Sequence, residues 1–97
     1  MADYSDLQSI AVIAGNGIYP ETFISAARKA GVSKVVVSAF QNETKQEVAD
    51  LSDEITWLRV GQLGKMIKFF QKHDVNHAVM VGQIAPKNLF DLRPDLR

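Results

Sequence analysis

Cysteine is absent from this 97-residue sequence, which excludes disulfide bonds, a thiol nucleophile and cysteine-ligated metal sites. An excess of one charge is also absent: eleven basic residues balance eleven acidic ones, so no general attraction to nucleic acid is expected. No apolar run approaches the ~20 residues of a membrane span, and the polar start from Met1 to Asp6 lacks the features of a signal peptide. These absences predict a cytoplasmic protein with no nucleic-acid partner.

The composition that remains is an ordinary globular balance. Hydrophobic residues make up 46% of the chain and charged residues 23%, which is enough apolar material for a folded core. The length allows one small domain. Because a domain of this size buries only about two-thirds of its surface, we expect it to rely on a partner, either a further domain or a second copy of itself.

Strand-like and helix-like segments alternate along the chain. The first two apolar runs show no polar alternation, which is typical of strands buried on both faces, whereas the mixed third run is typical of an edge strand. This alternation predicts a small Rossmann-like, three-layer α/β unit, with a four-stranded, mostly parallel sheet in the order 3-2-1-4 and helices on both faces. The predicted strands are 9–14, 34–40, 55–60 and 78–81, and the predicted helical segments are 20–30, 45–50, 62–74 and 86–92.

The segment Gly15-Asn16-Gly17 follows the first predicted strand and precedes a helix. Glycines let a backbone approach a ligand closely, and the N–H groups at a helix start suit a phosphate. A dinucleotide fingerprint would need a third glycine where Pro20 stands and an acid after the second strand, but residues 38–42 contain none. NAD is therefore not expected, and three interpretations stay open: a nucleotide site, a site for another phosphorylated ligand, or a tight turn.

Two further loops follow predicted strands. Gln62 and Lys65 stand at the start of the predicted 62–74 helix, where a lysine opposes the helix dipole and so favours an anionic partner; a solvated lysine is the alternative. Gly82 and Gln83 follow the fourth strand, which lies beside the first in the expected order. Ligands bind at this switch point in such sheets, so we expect the pair to face the glycine loop across a crevice.

No catalytic centre is visible in the residue pattern. His73 and His77 are four residues apart, but the intervening Asp74-Val75-Asn76 is typical of a turn, so a shared metal ion is not predicted. His73 is interpreted as a helix-end residue. The residues alone thus predict a small ligand-binding unit in which no side chain is assigned a catalytic or metal-ligating role.

Three segments resemble a known family. They are IAGNGIYP at 13–20, WLRVGQLGKMIKFF at 57–70 and VMVGQIAPKNLFDLRPD at 79–95. Together they resemble the N-terminal domain of the LpxI-type UDP-2,3-diacylglucosamine pyrophosphatases, and the G-Q-L-G-K block and the L-F-D-L-R-P-D tail are specific. Where the family has a Gly-Gly-Gly or similar turn ending in Leu-Pro, this chain has Gly15-Asn16-Gly17 and Tyr19-Pro20. We expect Tyr19 to alter contacts to the ligand.

The resemblance implies a part in lipid A biosynthesis. Enzymes of this family hydrolyse a UDP-diacylglucosamine lipid to UMP and lipid X with Mg²⁺, and a C-terminal domain carries the catalytic aspartate. The chain would then be the substrate-binding half, inactive alone and at most peripheral at the inner membrane, with a tail at 1–8, the domain at 9–85 and a helix or linker at 86–97 leading to the catalytic domain. The alternative is a free-standing nucleotide-binding, phosphate-binding or protein-interaction module. The residues to which the resemblance assigns substrate binding are Gly15, Asn16, Gly17, Gln62, Lys65, Gly82 and Gln83.

Overall fold

The computed structural model describes residues 8–59, 61–75 and 77–83. Strands and helices alternate, as the sequence predicted. The elements are β1 (Ser9–Ala14), α1 (Tyr19–Lys29), β2 (Lys34–Phe40), α2 (Gln46–Leu51), β3 (Glu54–Leu58), α3 (Leu63–Lys72) and β4 (Ala78–Val81). Most of the predicted tail at 1–8 and all of the predicted helical stretch at 86–92 lie outside the described residues.

The four strands form one sheet in the order β3-β2-β1-β4, which confirms the predicted order. All three strand pairs are parallel, with Ala11 of β1 opposite Val36 of β2 and Ala78 of β4. A parallel sheet brings the carboxyl ends of its strands, and the loops that follow them, to one edge. The loops after β1 and β4 are therefore neighbours, whereas the loop after β3 lies two strands away from the loop after β1.

The core lies on both faces of the sheet, as the unbroken apolar runs predicted. On one face, Val12 and its neighbours pack with Ile24 of α1 and Val48 of α2, all of them buried completely. On the other face, Ala11 and Val36 pack with Met66 and Phe70 of α3. The two helical layers and the sheet make the expected three-layer unit.

The apolar stripe of α3 is only partly buried. Leu63, Met66, Ile67 and Phe70 share helical spacing, but Leu63 is 60% exposed and Ile67 is 51% exposed. Met66 and Phe70 face the sheet, and Phe69 adds a partly buried ring beside them. Successive residues of a helix are about 100° apart around its axis, so these four side chains spread over a wide arc. A sheet covers only part of that arc, and Leu63 and Ile67 lie outside the covered part.

β3 is an edge strand, as predicted, but it is shorter than the predicted 55–60. It ends at Leu58 because the N–H of Arg59 donates to the side-chain oxygen of Gln62, 2.8 Å away, and so turns the chain toward α3. At the start of β3, Asp53 accepts bonds from the Val35 N–H at 2.7 Å and from Arg28 at 3.0 Å. This carboxylate ties β3 to β2 and α1.

Candidate functional site

The candidate site is the carboxyl edge of the sheet, where the loops that follow the strands gather. The loop after β1 contains Gly15, Asn16 and Gly17, and β4 is followed by Gly82 and Gln83. These two loops are in direct contact. Asn16 and Gln83 form an antiparallel bridge, and the Gly15 N–H donates to the carbonyl oxygen of Val81 at 2.8 Å. The expected neighbourhood is therefore present, but paired backbones stand where an open crevice was expected.

Two glycines allow this close approach. A Cβ atom on Gly15 would lie 2.6 Å from the Gln83 carbonyl oxygen, and a Cβ on Gly82 would lie 2.7 Å from the Asn16 carbonyl oxygen. Side-chain carbon atoms do not approach backbone atoms so closely, so only glycine fits at either position. Gly82 also has a φ of +103°, which favours glycine for conformational reasons. Gly15 and Gly82 thus serve the contact between the two loops.

Gly17 differs from these two glycines. Its φ is +97°, and a Cβ atom there would meet nothing within 4 Å. Its N–H donates to the side-chain oxygen of Asn16 at 2.7 Å. The N–H groups of Gly15, Asn16 and Gly17 therefore all have acceptors within the chain. A ligand oxygen can take the Gly17 N–H only when the Asn16 side chain turns away.

The start of α1 follows this loop at the same edge. Ile18 occupies the N-cap position, and no side chain caps the helix there. The first-turn N–H groups of a helix carry a partial positive charge that suits an anion. Pro20, which stands where a dinucleotide fingerprint has glycine, is fully buried as the second helical residue, whereas Ile18 and Tyr19 are 60% and 65% exposed. The edge thus combines a helix end with two exposed apolar side chains.

Gln62 and Lys65 lie at the start of α3 on the same edge. Gln62 is the N-cap residue of α3, and its side-chain oxygen accepts the Arg59 N–H. The structure therefore shows Gln62 stabilising the turn between β3 and α3. Lys65 is exposed in the first turn of α3, as predicted. Because β2 separates β3 from β1, this loop is about 10 Å from the glycine loop along the sheet edge. A ligand larger than a single phosphate is needed to touch both.

The loop between β2 and α2 supplies two residues that the sequence analysis did not single out. Thr44 is buried, and its hydroxyl donates to the carbonyl oxygen of Ala14, the residue before Gly15, at 2.6 Å. Glu43 beside it is only 6% exposed. Glu43 stands directly after residues 38–42, the segment that contains no acid. The signal that would have found both residues is an acid and a hydroxyl close behind a fully buried strand.

Neither a metal-binding cluster nor a membrane-spanning helix occurs within the described residues. Residues 8–59, 61–75 and 77–83 contain no group of three His, Cys, Asp or Glu side chains that could hold a metal ion. His73 follows the last residue of α3, and its ring packs edge-on against Phe69 with 4.8 Å between centroids, which agrees with a helix-end role. No helix within these residues is long and apolar enough to cross a membrane.

The comparisons with known proteins agree with the three sequence segments. The model of the LpxI N-terminal domain matches residues 9–97, a range that includes all four strands and every loop at the candidate edge. Neither a curated protein nor a solved structure matches the chain. The family match covers far more than half of the chain, and it confirms the resemblance that the glycine turn, the G-Q-L-G-K block and the L-F-D-L-R-P-D tail indicated. The chain belongs to the LpxI N-terminal domain family.

Proposed function

We propose that this chain is the substrate-binding half of a UDP-2,3-diacylglucosamine pyrophosphatase, a hydrolase of lipid A biosynthesis that releases UMP and lipid X. The observation that carries the proposal is the family match over residues 9–97. The placement of Asn16, Gln83 and Lys65 at one edge of the sheet supports it, because the resemblance assigns substrate binding to these residues. In this proposal the pyrophosphate of the substrate binds at that edge.

Two features of the edge attract such a ligand, and Glu21 in the first turn of α1 opposes them. A pyrophosphate is anionic, and the uncapped start of α1 offers it a partial positive charge. Lys65 adds a full positive charge in the first turn of α3, the helix that follows β3. The ends of β3 and β1 are two strands, or roughly 10 Å, apart, and a nucleoside diphosphate is long enough to span such a distance. Lys65 stands in the first turn of a helix, where a cation is unfavourable. A bound anionic ligand would offset this unfavourable interaction with the helix dipole, which would explain a lysine at this position.

The hydrolytic step needs groups beyond these. Magnesium prefers carboxylate and water oxygens, and residues 8–59, 61–75 and 77–83 contain no cluster of acids that fits such an ion. We therefore assign the ion and the activation of water to the catalytic domain that the resemblance implies. The role of this chain is to hold and orient the UDP part of the lipid. The exposed Ile18 and Tyr19 provide apolar surface beside it.

Titration calorimetry with UDP tests the binding half of the proposal. We expect saturable binding to the 97-residue chain, weakened about tenfold by Lys65→Ala, which is the loss of roughly 1.4 kcal/mol expected for one partly desolvated charge contact. The matched control is Lys72→Ala, which removes an exposed lysine from the last turn of the same helix, at the opposite edge of the sheet. Equal weakening of UDP binding by the two substitutions would mean that Lys65 acts only through the overall charge of the chain and makes no specific contact with the ligand.

An activity assay tests the enzymatic half. The 97-residue chain is expected to release no UMP from UDP-2,3-diacylglucosamine with Mg²⁺, whereas the product of the complete reading frame is expected to release it. UDP binding without hydrolysis by that complete product would favour the alternative, a nucleotide-binding module without catalysis. UMP release by the isolated chain at the rate of the complete product would contradict the division of labour proposed here.

A further inference from the structure

The side chain of Thr44 joins the ends of the two central strands. Its hydroxyl donates to the carbonyl oxygen of Ala14 at 2.6 Å, across 30 residues of sequence, and accepts the N–H of Phe40 at 2.9 Å. Ala14 is the last residue of β1 and Phe40 is the last residue of β2. Both bonds are buried, so water does not readily replace either partner. One hydroxyl therefore satisfies a strand-end carbonyl and a strand-end N–H together.

The glycine loop begins directly after this contact. Gly15 and Gly17 give the loop backbone more freedom than other residues would, so its shape depends on how its ends are held. On the β4 side it is held by the Gly15 N–H to Val81 and by the paired bonds of Asn16 and Gln83. On the β2 side the hydroxyl of Thr44 on the carbonyl oxygen of Ala14 provides the corresponding attachment.

We infer that Thr44 is a positioning residue for the ligand-binding loop at residues 15–17. The hydroxyl fixes the direction of the last carbonyl of β1, and with it the peptide plane between Ala14 and Gly15. It thereby sets where Asn16 and the start of α1 stand relative to the loop after β2. The inference rests on the proposed function in one respect only, namely that the ligand contacts this loop.

The turn that carries Thr44 holds its hydroxyl at the ends of β1 and β2. The N–H groups of Glu43 and Thr44 both donate to the Phe40 carbonyl oxygen at 3.0 Å, so the turn is closed tightly on the end of β2. A serine at position 44 could make both hydroxyl bonds, whereas a valine has nearly the same shape and can make neither. This difference separates the hydroxyl from the packing of the side chain.

The experiment compares Thr44→Val, Thr44→Ser and a matched control, Ser33→Ala. Ser33 lies just before β2, and its hydroxyl donates to the carbonyl oxygen of Gln8, just before β1, at 2.7 Å, so the control removes a hydroxyl bond between the same two strand segments at the opposite edge of the sheet. Two quantities are measured on the 97-residue chain: the Kd for UDP by calorimetry, and amide hydrogen exchange at Gly15 and Asn16 relative to Val36 in the middle of β2. Thermal melting records global stability.

We expect Thr44→Val to raise the Kd for UDP at least fivefold and to speed exchange at Gly15 and Asn16 at least tenfold more than at Val36. Thr44→Ser should restore both quantities to within about twofold, and Ser33→Ala should change neither. A folded Thr44→Val chain with unchanged Kd and a uniform rise in exchange would overturn the inference and leave Thr44 as a packing residue. If the unaltered chain binds no UDP, the proposed function fails, and the exchange at Gly15 and Asn16 alone decides whether Thr44 positions the loop.

Discussion

The backbone N–H of Asn16 donates to the carbonyl oxygen of Gln83 over 2.5 Å, and the Gln83 N–H returns a bond of 3.2 Å to the Asn16 carbonyl oxygen. This reciprocal pair closes the gap between the loops after β1 and β4 at the switch point of the sheet. We therefore expect a ligand to rest on the two paired loops and on the start of α1, not to pass between the strands.

The first prediction concerns Gly15. Gly15→Ala places a Cβ 2.6 Å from the Gln83 carbonyl oxygen and 2.8 Å from its nitrogen, and both obstacles are backbone atoms. Forced overpacking of this kind costs about 1–3 kcal/mol, which lowers Tm by roughly 5–20 °C in a domain of this size. The matched control is Gly64→Ala in the first turn of α3, where nothing lies within 4 Å. It should raise stability, by up to about 1 kcal/mol. Equal melting temperatures for the two variants would contradict the close contact.

The second prediction concerns Gly17. The Cβ of Gly17→Val meets no atom within 4 Å, so the main structural cost is the strain of a φ of +97°, about 1–2 kcal/mol. If the loop holds the ligand, the variant should also raise the Kd for UDP, even at temperatures where melting shows that the chain is fully folded. Gly31→Val is the control, because Gly31 has a φ of +106° just after α1, at the opposite edge of the sheet. Only Gly17→Val should bind UDP weakly, whereas a folded Gly31→Val chain should bind UDP as the unaltered chain does. Unchanged UDP binding by a folded Gly17→Val chain would mean that this glycine only turns the corner into α1.

The third prediction separates two bonds made by one oxygen of Asp53. That oxygen accepts from the Val35 N–H at 2.7 Å and from Arg28 at 3.0 Å. Asp53→Ala leaves a part-buried N–H without its acceptor, which costs about 1–3 kcal/mol. Loss of the charge pair alone costs roughly 0–1 kcal/mol, because its two side chains are 35% and 41% exposed. Chemical denaturation should therefore rank Asp53→Ala as clearly less stable than Asp53→Asn, which keeps an oxygen for Val35.

Added salt provides the check on this third prediction. Salt screens the ion pair but not the bond to the Val35 N–H. The stability difference between Asp53→Asn and the unaltered chain should shrink at 1 M NaCl, whereas the deficit of Asp53→Ala should largely persist. If both deficits vanish in salt, the ion pair to Arg28 is the dominant contact and the bond to Val35 adds nothing.

The fourth prediction is that the chain has no tight site for NAD or NADP. The position of the third fingerprint glycine is occupied by Pro20, which is buried within α1 and has no N–H to donate. Calorimetric titration should show no binding of NAD or NADP at micromolar concentrations. Micromolar affinity for either dinucleotide would contradict this prediction.

Local sequence determined the elements of the fold and the order of the strands. Runs such as Ile10–Ala14 and Val35–Val37 are apolar at every position, a pattern that only a strand covered on both faces can use. Helical segments between such strands impose right-handed crossovers, and these leave few possible orders for four strands. The family was also evident from local sequence, because the G-Q-L-G-K block and the L-F-D-L-R-P-D tail are contiguous. Each of these inferences depends on residues that are close together in the chain.

Tertiary structure decided which backbones meet and which groups remain available. Gly15 and Gly82 must be glycines because each lies against the backbone of the other loop, and no local pattern indicates this. Nor does a local pattern indicate that the hydroxyl of Thr44 reaches Ala14 across 30 residues. Helical spacing placed Leu63 and Met66 on one stripe, yet only Met66 is buried, because the sheet covers one side of that stripe. Periodicity reports the shape of a single element, whereas these contacts depend on how two elements approach each other, and that distance is set only when the whole sheet is assembled.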